Sequence, residues 1–248
     1  MKPLLWLLPL ALLLMGCGKP APAETNPPSE ETVTVTQPTA APTEAPTLAP
    51  TEPPTEAPTE PTEPPEETDL VRIRDFIPGI REELAYASEN NFTGKKIYDF
   101  YNAYLRYGTV KKLAAACHEL EQLGLGILIW DGYRPVSAQA ALWEVCPDPA
   151  YVSHPVTGTR AHCRGNAVDL TLYDLETGQL LPMPTVFDDF SALADRDYSD
   201  CTPEAAENAR LLEQIMEKHG FKPYKAEWWH FTDTDSYPVD ETFEPPVG

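Results

Sequence analysis

Two short stretches of the chain decide how it folds around a reactive centre: His162-Cys-Arg-Gly-Asn-Ala-Val-Asp169, continued by Leu-Thr-Leu, and Glu227-Trp-Trp-His230. Two histidines and one aspartate form a ligand set that catalytic zinc uses, because such sites take three protein ligands and leave one position open. Asp169 stands in an apolar run, and a buried carboxylate needs a partner such as a metal ion. The sequence therefore predicts Zn2+ bound by His162, Asp169 and His230.

The carboxylate of Glu227, three residues before the second histidine, is in a position suited to proton transfer. A zinc-bound water has a pKa of about 7, and a carboxylate beside it can accept the proton and pass it to a leaving amine. Glu227 is close enough to His230 in sequence to take this role of catalytic base. The segment from Glu227 to Phe231 is aromatic-rich and typical of a strand. A flat strand would point positions 227 and 230 to opposite faces, so the role requires a bend between them.

Hydrophobic periodicity predicts three helices between residues 109 and 220. The first runs from Thr109 to Gly124, the second begins at Pro135, and the third runs from an N-cap at Thr202 to Gly220. An apolar run at residues 125–130 is typical of a buried strand, and Asp131-Gly132 is typical of the turn after it. Because helices and strands do not alternate regularly, we predict an α+β fold, with a small, mostly antiparallel sheet packed against helices.

The N-terminal 17 residues are typical of a lipoprotein signal peptide. Lys2 precedes an apolar run that ends at Met15, too short for a comfortable membrane span. The run stops at Gly16-Cys17, which resembles a bacterial lipobox, so we expect Cys17 to be lipidated. An ordinary signal peptide with an incidental cysteine is the alternative. Lipidation would place the protein outside the cytoplasm, anchored to the bacterial cell membrane.

Residues 18–69 form a predicted disordered linker. They contain 14 prolines and no aromatic residue, so they cannot bury enough apolar surface to offset the entropy of ordering. The predicted catalytic domain is then residues 70–248, which is long enough for one hydrophobic core. This part has 28 acidic and 16 basic residues, a net charge of −12. An acidic domain argues against nucleic acid as a partner.

The motif HxxGxAxD, followed about 60 residues later by ExxH, resembles the zinc D-alanyl-D-alanine dipeptidases and their D,D-carboxypeptidase relatives. The upstream segment Asp131-Gly-Tyr-Arg-Pro135 is also similar to that family. The resemblance covers roughly residues 70–240. It implies that the two histidines and Asp169 bind zinc, that Glu227 is the base, and that Arg134 stabilises the tetrahedral intermediate.

The same resemblance indicates substrate-binding residues. An acid after the first motif holds the substrate amino group, and Asp188 is the nearest match, with Asp189 close behind. We also expect Tyr133 to contact substrate. Two departures lie near the substrate: Arg160 replaces the serine that is common two residues before the first histidine, and Leu181-Pro-Met-Pro-Thr185 replaces Asp-Met-Gly-Thr.

The implied function is hydrolysis of D-Ala-D-Ala, as free dipeptide or at the end of a peptidoglycan stem, and the sequence does not separate the two. One alternative is a non-catalytic, metal-containing lipoprotein that binds the cell wall. Such a homologue should have lost the base or a ligand, and Glu227 and all three ligands are present. Another alternative is a hydrolase with Cys163 or a serine as nucleophile, but Cys163 lacks a base if His162 binds metal.

Four cysteines lie in the predicted domain, and outside the cytoplasm they are free to form disulfides. They are Cys117, Cys146, Cys163 and Cys201. Four cysteines permit three full pairings, and the sequence does not choose among them.

Overall fold

The computed structural model describes residues 63–247, which contain seven strands and three α-helices. The predicted signal peptide, Cys17 and most of the predicted linker lie outside the described residues. The strands are β1 (Leu70–Arg72), β2 (Arg81–Glu82), β3 (Tyr104–Arg106), β4 (Leu125–Asp131), β5 (Ala167–Asp174), β6 (Phe221–Pro223) and β7 (His230–Asp233). The helices are α1 (Tyr107–Glu121), α2 (Val136–Val145) and α3 (Pro203–Lys218).

The main sheet has five strands in the order β2-β4-β5-β7-β6. Only the short edge strand β2 runs parallel to its neighbour, and the other three pairings are antiparallel. Strands β1 and β3 form a separate antiparallel pair. These observations confirm the predicted α+β fold with a mostly antiparallel sheet.

The two longest strands form the centre of the core. Every residue of β5 from Ala167 to Tyr173 is buried, and so are Ile127, Leu128 and Ile129 of β4. Strands that are covered on both faces have continuous apolar sequences rather than alternating ones. The buried faces of α1 and α3 complete the core, and the two helices contact each other. The core is thus centred on the pairing of β4 with β5.

The helix boundaries agree with the sequence at α3 and differ at α1. The Thr202 side chain accepts a hydrogen bond from the Ala205 N–H at 3.2 Å, as an N-cap does. Thr109, by contrast, lies inside α1, which begins at Tyr107. Its hydroxyl donates to Asp233 at 2.7 Å, so a tertiary hydrogen bond takes the place of the predicted cap.

The domain begins a few residues before the predicted boundary at residue 70. The Asp69 and Glu67 carbonyls accept hydrogen bonds from the first N–H groups of α1, at 2.8 Å from Tyr107 and 3.0 Å from Gly108. These bonds satisfy donors that have no partner within the helix. Residues 67–69 therefore belong to the folded domain rather than to the linker. Within residues 63–247, no helix has the length and apolar character needed to cross a bilayer.

Candidate active site

The metal-ligand candidates meet where β5 and β7 pair. Asp169 and His230 are direct partners across the two antiparallel strands. His162 stands in a single 3-10 turn, His162–Arg164, just before β5. Gly165 ends this turn with a φ of 72°, and a Cβ there would lie 2.5 Å from the Leu70 side chain. Glycine is therefore required for the chain to turn from His162 into β5.

Three potential ligand atoms converge on one point. His162 Nε2 lies 3.3 Å from Asp169 Oδ2, and His230 Nδ1 lies 2.9 Å from Asp169 Oδ1. The two ring nitrogens are 3.3 Å apart. All three atoms lie within 4.8 Å of one another, and the histidine–aspartate–histidine set fits a divalent transition metal such as zinc.

Neighbouring oxygens orient both imidazole rings. His162 Nδ1 lies 2.8 Å from the Gly132 carbonyl, which only accepts hydrogen bonds, so Nδ1 is the donor and Nε2 is the nitrogen that faces Asp169. His230 Nε2 lies 3.1 Å from the Thr232 hydroxyl, two residues along the same face of β7. Outer hydrogen bonds of this kind fix the tautomer and the ring orientation of metal-binding histidines. Thr232 and Gly132 were not identified from the sequence.

A turn, not a strand, separates Glu227 from His230. The Glu227 carbonyl accepts a hydrogen bond from the His230 N–H at 3.4 Å, and β7 begins only at His230. The intervening Trp228 and Trp229 are each 1% exposed. The Trp228 N–H donates to the Ala194 carbonyl, and the Trp229 carbonyl accepts from the Leu170 N–H. The bend that the catalytic-base role requires is therefore present, and the predicted strand across Glu227–Phe231 begins three residues later than predicted.

The Glu227 carboxylate lies beside the ligand cluster, with Oε2 3.8 Å from His230 Nδ1. Its pKa is raised to about 7, chiefly because burial disfavours the charged carboxylate. The nearby His230 opposes that rise. A carboxyl group with a pKa near neutrality can both accept and release a proton at physiological pH.

Arg134 is buried in a set of hydrogen bonds that fixes its guanidinium. Nε donates to the Tyr98 hydroxyl at 3.0 Å, Nη1 to Gln139 at 3.0 Å, and Nη2 to Asp131 at 2.5 Å. Burial alone would lower the pKa of Arg134, but Tyr98 and Asp131 hold that pKa well above its usual value. Asp131, which the sequence identified only as a turn residue, is the completely buried anion of this set.

Asp131 also links the arginine to one of the metal-ligand candidates. Its Oδ1 accepts hydrogen bonds from Tyr98 and from the Gly132 N–H, at 2.8 and 2.9 Å. Its Oδ2 lies 3.8 Å from His162 Nδ1. A guanidinium has five N–H donors, and the bonds described above use three of them. One N–H on each Nη of Arg134 has no partner among residues 63–247 and is free for a ligand.

Asp188 lies in the cleft, in the left-handed backbone region with a φ of 58°. It accepts a hydrogen bond from the Tyr86 hydroxyl at 2.8 Å. Its pKa is raised to about 7, mainly because burial disfavours the charged form, and Asp169 adds to the rise. Asp189 does not line the cleft and instead accepts from the Ser191 N–H. Of the two neighbouring acids, Asp188 and not Asp189 therefore lines the cleft.

Tyr133 is not brought to the cleft. Its ring is 1% exposed, and its hydroxyl donates to the Phe243 carbonyl at 2.9 Å. Consecutive side chains of an extended segment point to opposite sides, so Tyr133 and Arg134 cannot both face the substrate. The structure corrects the expected substrate contact: Tyr133 attaches the C-terminal segment to the domain.

The cleft has a volume of about 490 Å³ and contains the predicted site residues other than Tyr133 and Cys17. Its floor includes the three ligand candidates, Glu227 and Arg134. Its upper walls come from two loops, residues 149–161 and residues 188–190. A cleft of this size accommodates a small ligand, since binding sites for small molecules typically measure about 300–1,000 Å³.

The four cysteines of the described domain are unpaired. Cys163 is buried beside His162, and burial raises the pKa of its thiol to about 11. A thiol with so high a pKa stays protonated and is a poor nucleophile at neutral pH. Cys163 therefore fits a wall residue and does not fit the nucleophile of the alternative hydrolase.

One cleft contains three converging ligand atoms, a carboxyl group with a pKa near neutrality and a guanidinium held by hydrogen bonds. Together these groups define a metal-dependent hydrolase. A family model described as D-ala-D-ala dipeptidase, of the M15 peptidases, matches residues 66–246. The chain belongs to this family of metallopeptidases.

Two curated relatives support the same assignment. A D-alanyl-D-alanine dipeptidase of Escherichia coli (strain K12) is 39% identical over 176 residues, covering 70% of this chain and 90% of the relative. A D-alanyl-D-alanine dipeptidase of Enterococcus faecalis is 33% identical over 198 residues, covering 71% and 96%. Among solved structures, a vancomycin-resistance D,D-pentapeptidase in complex with Zn(II) is 16% identical, with a TM-score of 0.36, covering 54% of this chain and 74% of that one.

Proposed function

We propose that this protein is a zinc peptidase that hydrolyses the D-Ala-D-Ala bond. The curated relatives are named D-alanyl-D-alanine dipeptidases, so the free dipeptide is the first substrate to test. The terminus of a peptidoglycan stem is the second. The observation that carries the proposal is the convergence of His162, Asp169 and His230, with the Glu227 carboxylate 3.8 Å from one ligand nitrogen.

Zinc would be held by the three converging atoms and would supply a water acidic enough to act at neutral pH. Glu227 stands where it can take the proton of the attacking water. As the water oxygen bonds to the carbonyl carbon, that proton moves to the Glu227 carboxylate. When the C–N bond breaks, Glu227 returns it to the leaving amine. The raised pKa of Glu227 suits both transfers.

Arg134 is suited to stabilise the oxygen that becomes negative in the transition state. Asp131, Tyr98 and Gln139 hold its guanidinium before substrate arrives, so no rearrangement is needed as charge develops. The two remaining N–H groups form a planar pair of donors. Lysine offers no such pair. We therefore expect the Arg134→Lys variant to be less active than wild type.

Asp188 is the proposed partner of the substrate ammonium group. It lines the cleft from a loop separate from the ligand candidates, and its only hydrogen-bond donor among the described residues is Tyr86. A positive ammonium would stabilise the ionised carboxylate that burial disfavours. Binding of a free amino end would thus offset the desolvation of Asp188.

For location, we propose a lipid anchor at Cys17, with the proline-rich segment that follows it as a linker that holds the domain away from the membrane. The support is sequence-based: a short apolar run that stops at Gly16-Cys17, followed by a proline-rich segment. Membrane fractionation of wild type and Cys17→Ala in a bacterial host tests it. Wild-type protein found wholly in the soluble fraction would refute the anchor.

The test of function is hydrolysis of D-Ala-D-Ala and of a pentapeptide stem by the purified zinc-loaded protein. We expect turnover of the dipeptide, and the ratio of kcat/KM for the two substrates assigns dipeptidase or carboxypeptidase activity. Binding of wall peptides without hydrolysis of either would instead support the non-catalytic wall-binding lipoprotein. The presence of Glu227 beside a complete ligand set argues against that outcome.

A further inference from the structure

The loop that carries Glu227 and His230 is bonded from behind by an arginine. Arg196 does not line the cleft; it lies between the wall loop at residues 188–190 and α3, and its side chain is 8% exposed. Its Nε donates to the Tyr224 carbonyl at 2.8 Å, and its Nη2 donates to the His230 carbonyl at 3.0 Å. One guanidinium therefore bonds to both ends of the loop that contains the proposed base.

The guanidinium of Arg196 is itself fixed in place. Its Nη1 donates to the Glu213 carboxylate of α3 at 3.0 Å and to the Tyr198 hydroxyl at 3.1 Å. The Tyr198 hydroxyl donates to the same Glu213 oxygen at 2.7 Å. The guanidinium carbon also lies 4.5 Å from the centre of the Phe231 ring. Polar networks whose members all have partners make a structure rigid, so Arg196 joins the loop firmly to α3.

The two carbonyls that Arg196 reaches also close the loop on itself. The Tyr224 carbonyl accepts from the Glu227 N–H at 3.3 Å, and the His230 carbonyl accepts from the Tyr224 N–H at 3.1 Å. The backbone N–H of Arg196 donates to the Lys225 carbonyl at 3.2 Å. The first and last residues of the loop thus share one donor group, and the spacing of the residues between them depends on it.

We propose that Arg196 is a positioning residue, which holds the Glu227 carboxylate and the His230 ring at a fixed spacing. The inference rests on the proposed function for the roles of these two groups. Arg196 bonds to the backbone of the loop and to α3, so it acts through the loop and not on the substrate. Because a displacement of about 1 Å near the chemistry can cost about 10²-fold in rate, a loop released at both ends should lose turnover while it still binds substrate.

Arg81 provides a matched control, because it makes the same kinds of contact away from the cleft. Its Nη1 donates to the Gly178 carbonyl at 2.9 Å, and its guanidinium carbon lies 4.1 Å from the centre of the Tyr173 ring. Tyr173 lies near the end of β5, whereas Asp169 lies near its start. Arg81→Ala therefore measures the cost of losing an arginine that holds a loop without a reacting group.

The test measures zinc affinity by competition with a chromophoric chelator, and kcat and KM for D-Ala-D-Ala at saturating zinc. Arg196→Ala should weaken zinc binding by about 10–100-fold, the usual effect of losing an outer partner of a metal ligand. It should lower kcat by about 10–100-fold and change KM less than about 3-fold. Arg196→Lys should recover part of both losses, because a point charge cannot bond to both carbonyls as a planar fork does. Arg81→Ala should change zinc affinity and kcat less than about 3-fold.

The outcomes separate this inference from the proposed function. Equal effects of Arg196→Ala and Arg81→Ala on zinc affinity and kcat would make Arg196 a structural residue and overturn the inference, although the function stands. A rise in KM with kcat and zinc affinity unchanged would also overturn it. If Arg196→Ala does not fold, Arg196→Lys is compared with Arg81→Lys by the same measurements. If wild type does not hydrolyse D-Ala-D-Ala, the proposed function fails, and zinc affinity alone decides whether Arg196 positions His230.

Discussion

The floor and the walls of the cleft are built in different ways. The floor takes Asp169 and His230 from paired positions on β5 and β7, at the centre of the sheet and its core. The walls take Arg160 and Asp188 from loops, at backbone angles that these residues seldom adopt. The floor is held by a hydrogen-bonded ladder, whereas each wall residue is held by its own loop.

We propose that this difference separates bond cleavage from substrate choice. Ligands on neighbouring strands keep their spacing because a shift in register would move every side chain of the strand. Loop residues tolerate replacement more readily than residues of paired strands. We therefore expect changes in the floor to abolish activity, and changes in the walls to alter which substrate is used.

The largest effect is expected from the ligands. His162→Ala, Asp169→Ala and His230→Ala should each lose bound zinc and reduce hydrolysis to background, because two protein ligands hold the metal poorly. Atomic absorption on the purified variants measures the zinc. The control is His118→Ala, an exposed histidine of α1. Stoichiometric zinc in all three ligand variants would show that the floor is not the metal site.

Next in size is the effect of the base. Glu227→Gln should keep zinc and fold but lower kcat by about 10²–10⁴-fold, the usual contribution of a general acid–base group. Single-turnover hydrolysis of D-Ala-D-Ala measures the loss, and Glu207→Gln, an exposed acid of α3, is the control. A zinc-loaded variant that turns over at the wild-type rate would place the base elsewhere.

A smaller effect is expected from the residues that stabilise charge. Arg134→Lys should lower kcat by about 10²-fold, comparable to removing one oxyanion donor, with little change in KM. Asp131→Asn should also lower kcat, because the guanidinium loses the anion that holds it. Steady-state kinetics on both variants separate the two parameters. A rise in KM with an unchanged kcat would assign Arg134 to substrate binding, and so to the walls.

The smallest effect concerns the stability of the metal-free domain. Asp188 has a pKa of about 7 when folded, above the value of about 3.9 for an exposed aspartate, so the folded state binds more protons between these pH values. Its contribution to the free energy of unfolding therefore falls as pH rises from about 4 to 7, by at most about 1.4 kcal/mol per pH unit.

Asp188→Asn should remove this contribution. Urea unfolding of the chelator-treated protein at pH 5 and pH 8 measures it, with Asp189→Asn as the matched control outside the cleft. We expect stability to fall less between the two pH values in Asp188→Asn than in wild type. Equal differences in the two proteins would show that Asp188 is already ionised at pH 5.

The grouping of His162, Asp169, Glu227 and His230 could be inferred from the sequence because these residues lie in two short segments. The HxxGxAxD spacing spans a turn and the start of a strand, so local geometry alone brings His162 near Asp169. The ends of α3 were also predictable, because capping chemistry at Thr202 is local. What the sequence could not provide is which distant segment pairs with which, as the contact between Thr109 and Asp233 shows.

The support around Arg134 was missed for the same physical reason. Asp131 was interpreted as part of a turn, because an aspartate followed by glycine is typical of one. In the structure it ends β4 and accepts from Tyr98, which is 33 positions earlier in the chain. Tyr133 was expected to contact substrate, although alternation along an extended segment would have placed Tyr133 and Arg134 on opposite sides.

The turn from Glu227 to His230 fixes how the reacting groups are spaced before any substrate arrives. Trp228 and Trp229 are buried between the two, and their backbone groups bond to separate parts of the domain. Glu227 and His230, the proposed proton acceptor and metal ligand, are thus carried on one hydrogen-bonded turn. Adding or deleting a single residue in this turn would break the link between them, so the segment has a fixed length even where its side chains could be exchanged.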